Sequence, residues 1–260
     1  MKSQRIGGYV LLLLTTGAIC AQAWAGTDEN NITIGVSGID TVRYSGSDQH
    51  HWQYFPFLQV RQDAFFIDPQ KGIGFDLPFD NGIYLENSLS YSFGRMAQDS
   101  VWRDGSNKLN GMGNIPGTVN TQLAIGWQVT DYLIPELRTI IPVTNSQGIQ
   151  YQASLTLIPF QSKTDTLAFQ QSLLAGDSRY INTFYGVSPN QSISSGYHTY
   201  QTHGGLYGFL SDITWQHQYT SHWATALSLD YTRLTSLAAD SPIVMQPNNI
   251  STTLALSYTF

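Results

Sequence analysis

The last eleven residues, ISTTLALSYTF (250 to 260), place an apolar side chain at every second position. Successive side chains of a strand point to opposite faces, so Leu254, Leu256, Tyr258 and Phe260 line one face and Thr253, Ala255, Ser257 and Thr259 the other. The same split recurs in VNTQLAIGWQVT, where Val119, Leu123, Ile125, Trp127 and Val129 oppose Asn120, Gln122, Ala124, Gly126, Gln128 and Thr130. It returns in GIYLENSLSYSFG, IQYQASLTL, LYGFLSDITWQHQY and HWATALSLDY. A soluble sandwich also alternates, but its outward face tends to carry Lys and Glu. Here the second face is Gly, Ser, Thr, Gln and Asn.

The alternation predicts strands over 32–42, 53–61, 64–68, 72–79, 82–94, 118–130, 133–143, 148–159, 165–175, 205–219, 222–235 and 249–260. These make about twelve, and merging or dropping the two short elements between 64 and 79 leaves ten. An even set of roughly ten-residue alternating segments is the mark of an all-β, transmembrane antiparallel barrel. With the N-terminus on the periplasmic side, the segments 43–52, 95–117, 176–204 and 236–248 all fall outside. The short joins near Asp131, Gln161 and Ser221 fall inside. Long loops outside and short turns inside is the expected arrangement. Pro135 and Pro142 remove ladder donors from the strand 133–143, which predicts a bulge or a local irregularity there.

Composition narrows the class. Charged residues are 12% of the chain, against ~25% in soluble domains, and aromatics reach 13%. The first residues combine Lys2 and Arg5, an apolar run from Val10 to Leu14, and the small-residue pattern Ala23-Trp24-Ala25. They read as a secretory signal peptide, residues 1–25, with Ala21-Gln22-Ala23 as the alternative cleavage pattern. Cleavage would remove Cys20, the one cysteine, and would take the net charge from −6 to −8, because two bases and no acid are lost. A mature chain without thiols forms no disulfide, and an acidic one is a poor nucleic-acid ligand. The remaining residues, 26–260, read as one barrel in outer-membrane lipid.

Candidate chemistry is sparse. Asp76, Glu86, Asp212 and Asp230 share parity with polar neighbours and are expected to make the lumen acidic. Glu136 and Arg138 are expected to face it as a pair. His50, His51, His198 and His203 have no carboxylates at a metal-site spacing, so neither metal nor cofactor is expected. Ser194, Ser195 and His198 lie close together, which keeps a lipid hydrolase in view, but no hydrolase motif surrounds them and no catalytic residue is assigned.

Two late segments carry more than alternation: FYGVSPNQSISSGYHTYQTHGG (184 to 205) and DYTRLTSLAADSPIV (230 to 244). They resemble the MipA/OmpV family of outer-membrane proteins. The matching positions include Tyr185, Gly186, Val187, Ser188, Ser195 and Gly196, and then the run Ala238-Ala239-Asp240-Ser241-Pro242-Ile243-Val244. FPFLQVRQDAFFI and GIGFDL add a looser likeness in the first half. The resemblance implies an outer-membrane barrel whose last strand, with Leu254, Leu256, Tyr258 and Phe260, is read by the barrel-assembly machinery. It also implies a non-enzymatic scaffold that joins the lytic transglycosylase MltA to a penicillin-binding protein, with a porin-like channel for small polar or cationic solutes as the alternative. Both motif segments fall in outer loops, where they are expected to fold together and plug or brace the mouth. A ligand site is the alternative, and Asp240 is expected to pair with Arg233.

Overall fold

The computed structural model describes residues 30–260, and the expected signal peptide lies outside the described residues. In chain order the strands are β1 (Asn30–Val42), β2 (His50–Gln62), β3 (Phe65–Asp68), β4 (Gly72–Pro78), β5 (Ile83–Ser92), β6 (Arg95–Met96), β7 (Asp104–Gly105), β8 (Thr118–Trp127) and β9 (Leu133–Pro142). They continue with β10 (Gln150–Gln161), β11 (Asp165–Gly176), β12 (Gly205–Gln218), β13 (Trp223–Leu234) and β14 (Asn248–Thr259). Three short helices are α1 (Ser178–Phe184), α2 (Pro189–Ser195) and α3 (Ser236–Ala239). All strands except β6 and β7 form one closed antiparallel barrel of twelve. The two short elements between 64 and 79 are real strands, so twelve holds and ten does not.

Each barrel strand pairs with the next barrel strand in the chain, β5 with β8 across the loop that holds β6 and β7, and the first and last strands close the ring from Thr33 opposite Thr259 to Asp40 opposite Thr252. Closure leaves no free end to the sheet, the condition for backbone to sit in lipid. The period-two pattern then sorts the side chains. Ile32, Ile34, Leu123, Ile125, Leu254 and Leu256 are exposed on the outside, while Thr33, Gln122, Ser172, Ser228 and Ser257 are buried within. The polarity of a soluble protein is inverted because the outer solvent is hydrocarbon. Aromatic rings gather toward the strand ends, at the depths where amphipathic rings meet headgroups. Trp52 stacks on Tyr54 and Tyr91 meets Phe93 edge-on near the outer rim. Tyr258 packs against Trp223 and Phe260 near the inner one.

The expected bulge in β9 is absent. Its registers with β8 and β10 run without a shift, because each proline stands past the end of one ladder. Pro135 lies beyond the last β8 partner, opposite Glu136, and Pro142 lies beyond the last β10 partner, opposite Ile140. The irregularities fall elsewhere. Between β10 and β11 the register slips at Leu157/Phe160, where Pro159 takes the bulge position that tolerates a missing donor. A second slip sits at Leu174/Ala175 between β11 and β12.

One part of the wall is thin. β3 is four residues long and meets β2 at three residue pairs, Val60 to Gln62, so the outer part of β2 has a ladder on its β1 side alone. Trp102, from the loop 93–117, packs edge-on against Phe55 of this stretch at 6.0 Å between ring centres.

A charge on the outward face of a central strand position should be expensive. Leu254→Arg, midway along β14, is predicted to destabilise the barrel by about 2–4 kcal/mol in bilayers, read from the urea midpoint of unfolding from vesicles. An unchanged midpoint would place Leu254 out of the hydrocarbon.

Candidate functional site

Two constructions occupy the barrel: a plug of outer loops and a charge network within the lumen. The plug is built from residues 43–49, 93–117, 177–204 and 235–247. Local sequence sets its helices. Asp177 caps α1 by accepting the Tyr180 N–H at 2.7 Å. Ser188 and Gln191 form a reciprocal capping box at the start of α2, with Pro189 in the first turn. Gly196 ends α2 in the left-handed conformation, φ +80°, which a side chain would strain.

The two motif segments then meet. The buried Ser241 hydroxyl donates to the Tyr185 carbonyl, and the Tyr44 hydroxyl donates to the Ile243 carbonyl at 2.9 Å. Tyr185 and Ser45 share a hydroxyl contact at 2.8 Å, and the Tyr200 hydroxyl donates to the Leu237 carbonyl at 3.1 Å. Val187 and Tyr200 exchange both main-chain hydrogen bonds. Tyr44, Leu109, Met112, Val187 and Ile243 bury one apolar cluster. Tyr185 joins Leu174, Ile181, Tyr207, Leu210, Leu234 and Ala238 in another that reaches into the barrel wall. Burial pushes the Tyr44 and Tyr185 hydroxyls above the usual phenol range, so both remain neutral donors.

Gly186 donates its N–H to the Asn182 carbonyl, and Pro242 is half-buried between Ser241 and Ile243. Asp240 and Arg233 are not a pair. Asp240 is exposed at the C-terminal cap of α3, Arg233 is exposed opposite Asn248 on β13, and no ion pair joins them among the described residues. The hydroxyls of Ser194 and Ser195 are engaged by main-chain carbonyls, those of Gly111 and Asn190 for Ser194 and that of Gln191 for Ser195.

A buried arginine sits within the plug. Arg95 donates to the Phe184 carbonyl at 2.5 Å and lies 6.0 Å from the centre of the Tyr44 ring. Asp104 faces Arg95 across the β6–β7 bridge. Burial pushes the Asp104 carboxyl up to about 7, with the Arg95 guanidinium pulling the other way. Its usual value is about 3.9.

Within the lumen, register brings the network together. Asp76 stands opposite Glu86 on β4–β5, and Glu136 and Arg138 share the inner face of β9. Glu86 accepts from Lys71 Nζ and from Arg138 Nη1, each at 2.6 Å. Arg138 also donates to Glu136 at 3.0 Å and to Gln122 at 3.0 Å, and the Tyr84 hydroxyl donates to Glu136 at 2.6 Å. The Tyr84 ring lies where a side chain at position 126 would be, so Gly126 leaves room for it. Arg61 pairs with Asp76. On this side Arg61, Lys71 and Arg138 pair with Asp76, Glu86 and Glu136, and the buried Asp68 beside Lys71 leaves one acid in excess, so the expected acidity is reduced to that. Lys71 was hidden by its place in the turn 69–71, and Arg61 by its place near the end of β2. Asp212 and Asp230, by contrast, face each other on β12–β13 with no base in ion-pair reach among the described residues.

A closed antiparallel barrel with an apolar belt, a polar interior and long loops at one end defines an outer-membrane β-barrel protein. An outer membrane channel from Pseudomonas putida F1 has a similar fold, with a TM-score of 0.51 at 11% identity over 94% of this chain and 100% of that one. The NanC porin (TM-score 0.42, 9% identity, 88% and 98% covered) and OprB of Pseudomonas putida (0.40, 12%, 80% and 59%) match more distantly. No curated protein sequence matches significantly. The family model described as MltA-interacting protein MipA matches residues 34–260, and the chain belongs to that family.

Two predictions follow from the buried charges. Arg138→Met leaves Glu86 and Glu136 short of their shared base and should cost about 3–5 kcal/mol, seen as a lower urea midpoint; a variant as stable as the parent would remove the network from the account. Asp104 binds its proton more tightly folded than unfolded, so its contribution favours the fold at low pH and is lost as pH rises from about 4 to about 7. The parent should therefore lose heat stability relative to Asp104→Asn between pH 5 and pH 8, and a constant difference between the two would contradict this.

Proposed function

We propose that this barrel is a mouth-plugged scaffold of the outer membrane that holds peptidoglycan-remodelling enzymes, a lytic transglycosylase of the MltA kind and a penicillin-binding protein, at its periplasmic end. The observation that carries the reading is the plug. The most distinctive residues of the chain, from Tyr185 to Tyr200 and from Ala238 to Val244, are spent on packing the outer loops together with buried hydrogen bonds and apolar clusters, which supports a braced mouth over an open path. The name of the family supplies the partner.

A partner must meet the turns 63–64, 79–82, 128–132, 162–164 and 219–222. These turns and their flanks carry Asp63, Asp80, Asp131 and Asp165 against Lys163, so a basic partner face suits them. The reading assigns no catalytic residue and no cofactor. It includes recognition of β14 and the adjoining Phe260 by the barrel-assembly machinery.

A second reading, a narrow channel for small polar or cationic solutes, draws on the hydroxyl and amide rows of the inner face and on Asp212 and Asp230. Crosslinking the refolded barrel in an envelope extract, followed by mass spectrometry, tests the first. Recovery of a lytic transglycosylase together with a penicillin-binding protein is the expected result. Recovery of neither, with steady single-channel conductance in a planar bilayer, would replace the scaffold with the channel.

A further inference from the structure

The barrel wall is complete on the inner-rim side of the turn 69–71 and open on the outer-rim side of it. The Arg43 N–H donates to the Gln49 carbonyl at 2.9 Å, and the unbroken β1–β2 register carries that alternation along the strand. Odd-numbered residues of β2 therefore exchange hydrogen bonds with β1, and even-numbered ones turn their main-chain groups toward β3. β3 reaches only Val60 to Gln62. The N–H groups of Trp52, Tyr54 and Leu58 have no hydrogen-bond partner among the described residues, and Pro56 between them has no N–H at all. On the far side, β5 loses its β4 partner beyond Leu89, so Ser90 to Ser92 hold a ladder with β8 alone.

The opening is framed on every side. Its sill is the turn 69–71, where the Asp68 carboxylate accepts from the Gln70 and Lys71 N–H groups at 2.8 and 2.9 Å and Lys71 reaches Glu86 at 2.6 Å. Its sides carry aromatic pairs, Trp52 with Tyr54 on β2 and Tyr91 with Phe93 at the end of β5. Its lintel is the loop 93–117, tied to the ends of β1 and β2 by the Gly105 N–H on the Arg43 carbonyl and by Lys108 on Asp48. Pro56 stands in line with Val36 and Leu256, exposed members of the apolar belt, so the open edge lies at membrane depth. From Trp52 to Leu58 it is about 20 Å long and, at a strand tilt of ~40°, spans about 15 Å of depth, one leaflet of the hydrocarbon.

Unpaired backbone at that depth is tolerated where protein covers it or where it lines water. A proline in the middle of the edge interrupts any strand added to it, which leaves water and what water admits. The inner face of β2 agrees, because His51, Gln53, Phe55, Phe57 and Gln59 are all half-buried. This row sets rings beside hydrogen-bonding ends, and both ring nitrogens of His51 lack a partner. Trp102, 63% exposed, stands edge-on to Phe55. We propose that the opening between the outer halves of β2 and β5 is a lateral portal, gated by Trp102, for a small amphipathic molecule passing between the lumen and the outer leaflet. The molecule has an apolar body, taken by the rings of Phe55 and Phe57, and one hydroxyl or carboxyl head, taken by His51 or Gln53. The portal does not depend on whether enzymes dock at the periplasmic turns, and it leaves the loops at the mouth packed.

Two measurements on the refolded barrel in lipid bilayers test the portal. Residue-resolved amide exchange by NMR should find the Trp52, Tyr54 and Leu58 N–H groups exchanging fast while those of Gln53, Phe55 and Phe57, paired with β1, exchange slowly. Photolabelling with a medium-chain fatty acid that carries a diazirine on its chain, mapped by mass spectrometry, should place adducts on Phe55, Phe57 or Trp102. Trp102→Ala should raise labelling of the two phenylalanines severalfold. The double variant Phe55→Ser, Phe57→Ser should lose the labelling of the inner row and of Trp102 while keeping the heat-modifiable migration of a folded barrel. Slow exchange at Tyr54 and Leu58 would mean a covered edge, and protection that grows with barrel concentration would mean a second copy paired to it. Either result would overturn the proposal, as would adducts confined to outward side chains such as Leu123, Ile125 and Leu254, or equal inner labelling in Trp102→Ala and its parent.

Discussion

The constraint on which the rest depends is that backbone N–H and C=O groups in hydrocarbon must find partners within the protein. A sheet meets it by closing on itself, and here closure is the antiparallel pairing of β1 with β14, completed when the Phe260 N–H donates to the Ile32 carbonyl at 2.9 Å. The Phe260 ring is thereby held at the inner rim, edge-on to Tyr258. Once the ring is closed, period two does the remaining work. Every residue faces lipid or lumen, and a chain with few charges becomes soluble in a membrane.

The polar interior then needs its own accounting. On the β4–β9 side, Asp76, Glu86 and Glu136 meet Arg61, Lys71 and Arg138 through register, Gln122 accepts from Arg138, and Tyr84 donates to Glu136. On the β12–β13 side the acids are alone. At the outer end the loops carry their own small apolar cores, and the buried Arg95 donates to the Phe184 carbonyl among them. The interior thus divides into a sector of paired charges and an acidic sector, beneath packed outer loops.

Much of this was legible in the sequence, because alternation reports facing directly. The twelve strands, the sidedness of the loops and the inward orientation of Asp76, Glu86, Glu136, Arg138, Asp212 and Asp230 all follow from parity. What parity does not report is which strand position stands opposite which. Lys71 comes from a turn and reaches Glu86 fifteen residues away, so no strand pattern pointed to it. The missing bulge in β9 has the same origin, since the harm done by Pro135 and Pro142 depends on where the ladders of β8 and β10 stop. Arg233 and Asp240 looked like a pair because they are close in sequence, whereas the outward parity of Arg233 already turns it away from the plug. The contact of the two motif segments was visible as a shared location, but the bond from Ser241 to Tyr185 required the fold.

The central claim is that these two segments form one folded lid. Amide hydrogen exchange of the refolded barrel, followed by mass spectrometry, tests it most directly. The account predicts that residues 185–200 and 238–246 exchange slowly and lose protection together, and that Tyr44→Phe with Ser241→Ala releases both at once. Fast exchange in either segment of the parent, at the rate of a free loop, would contradict it.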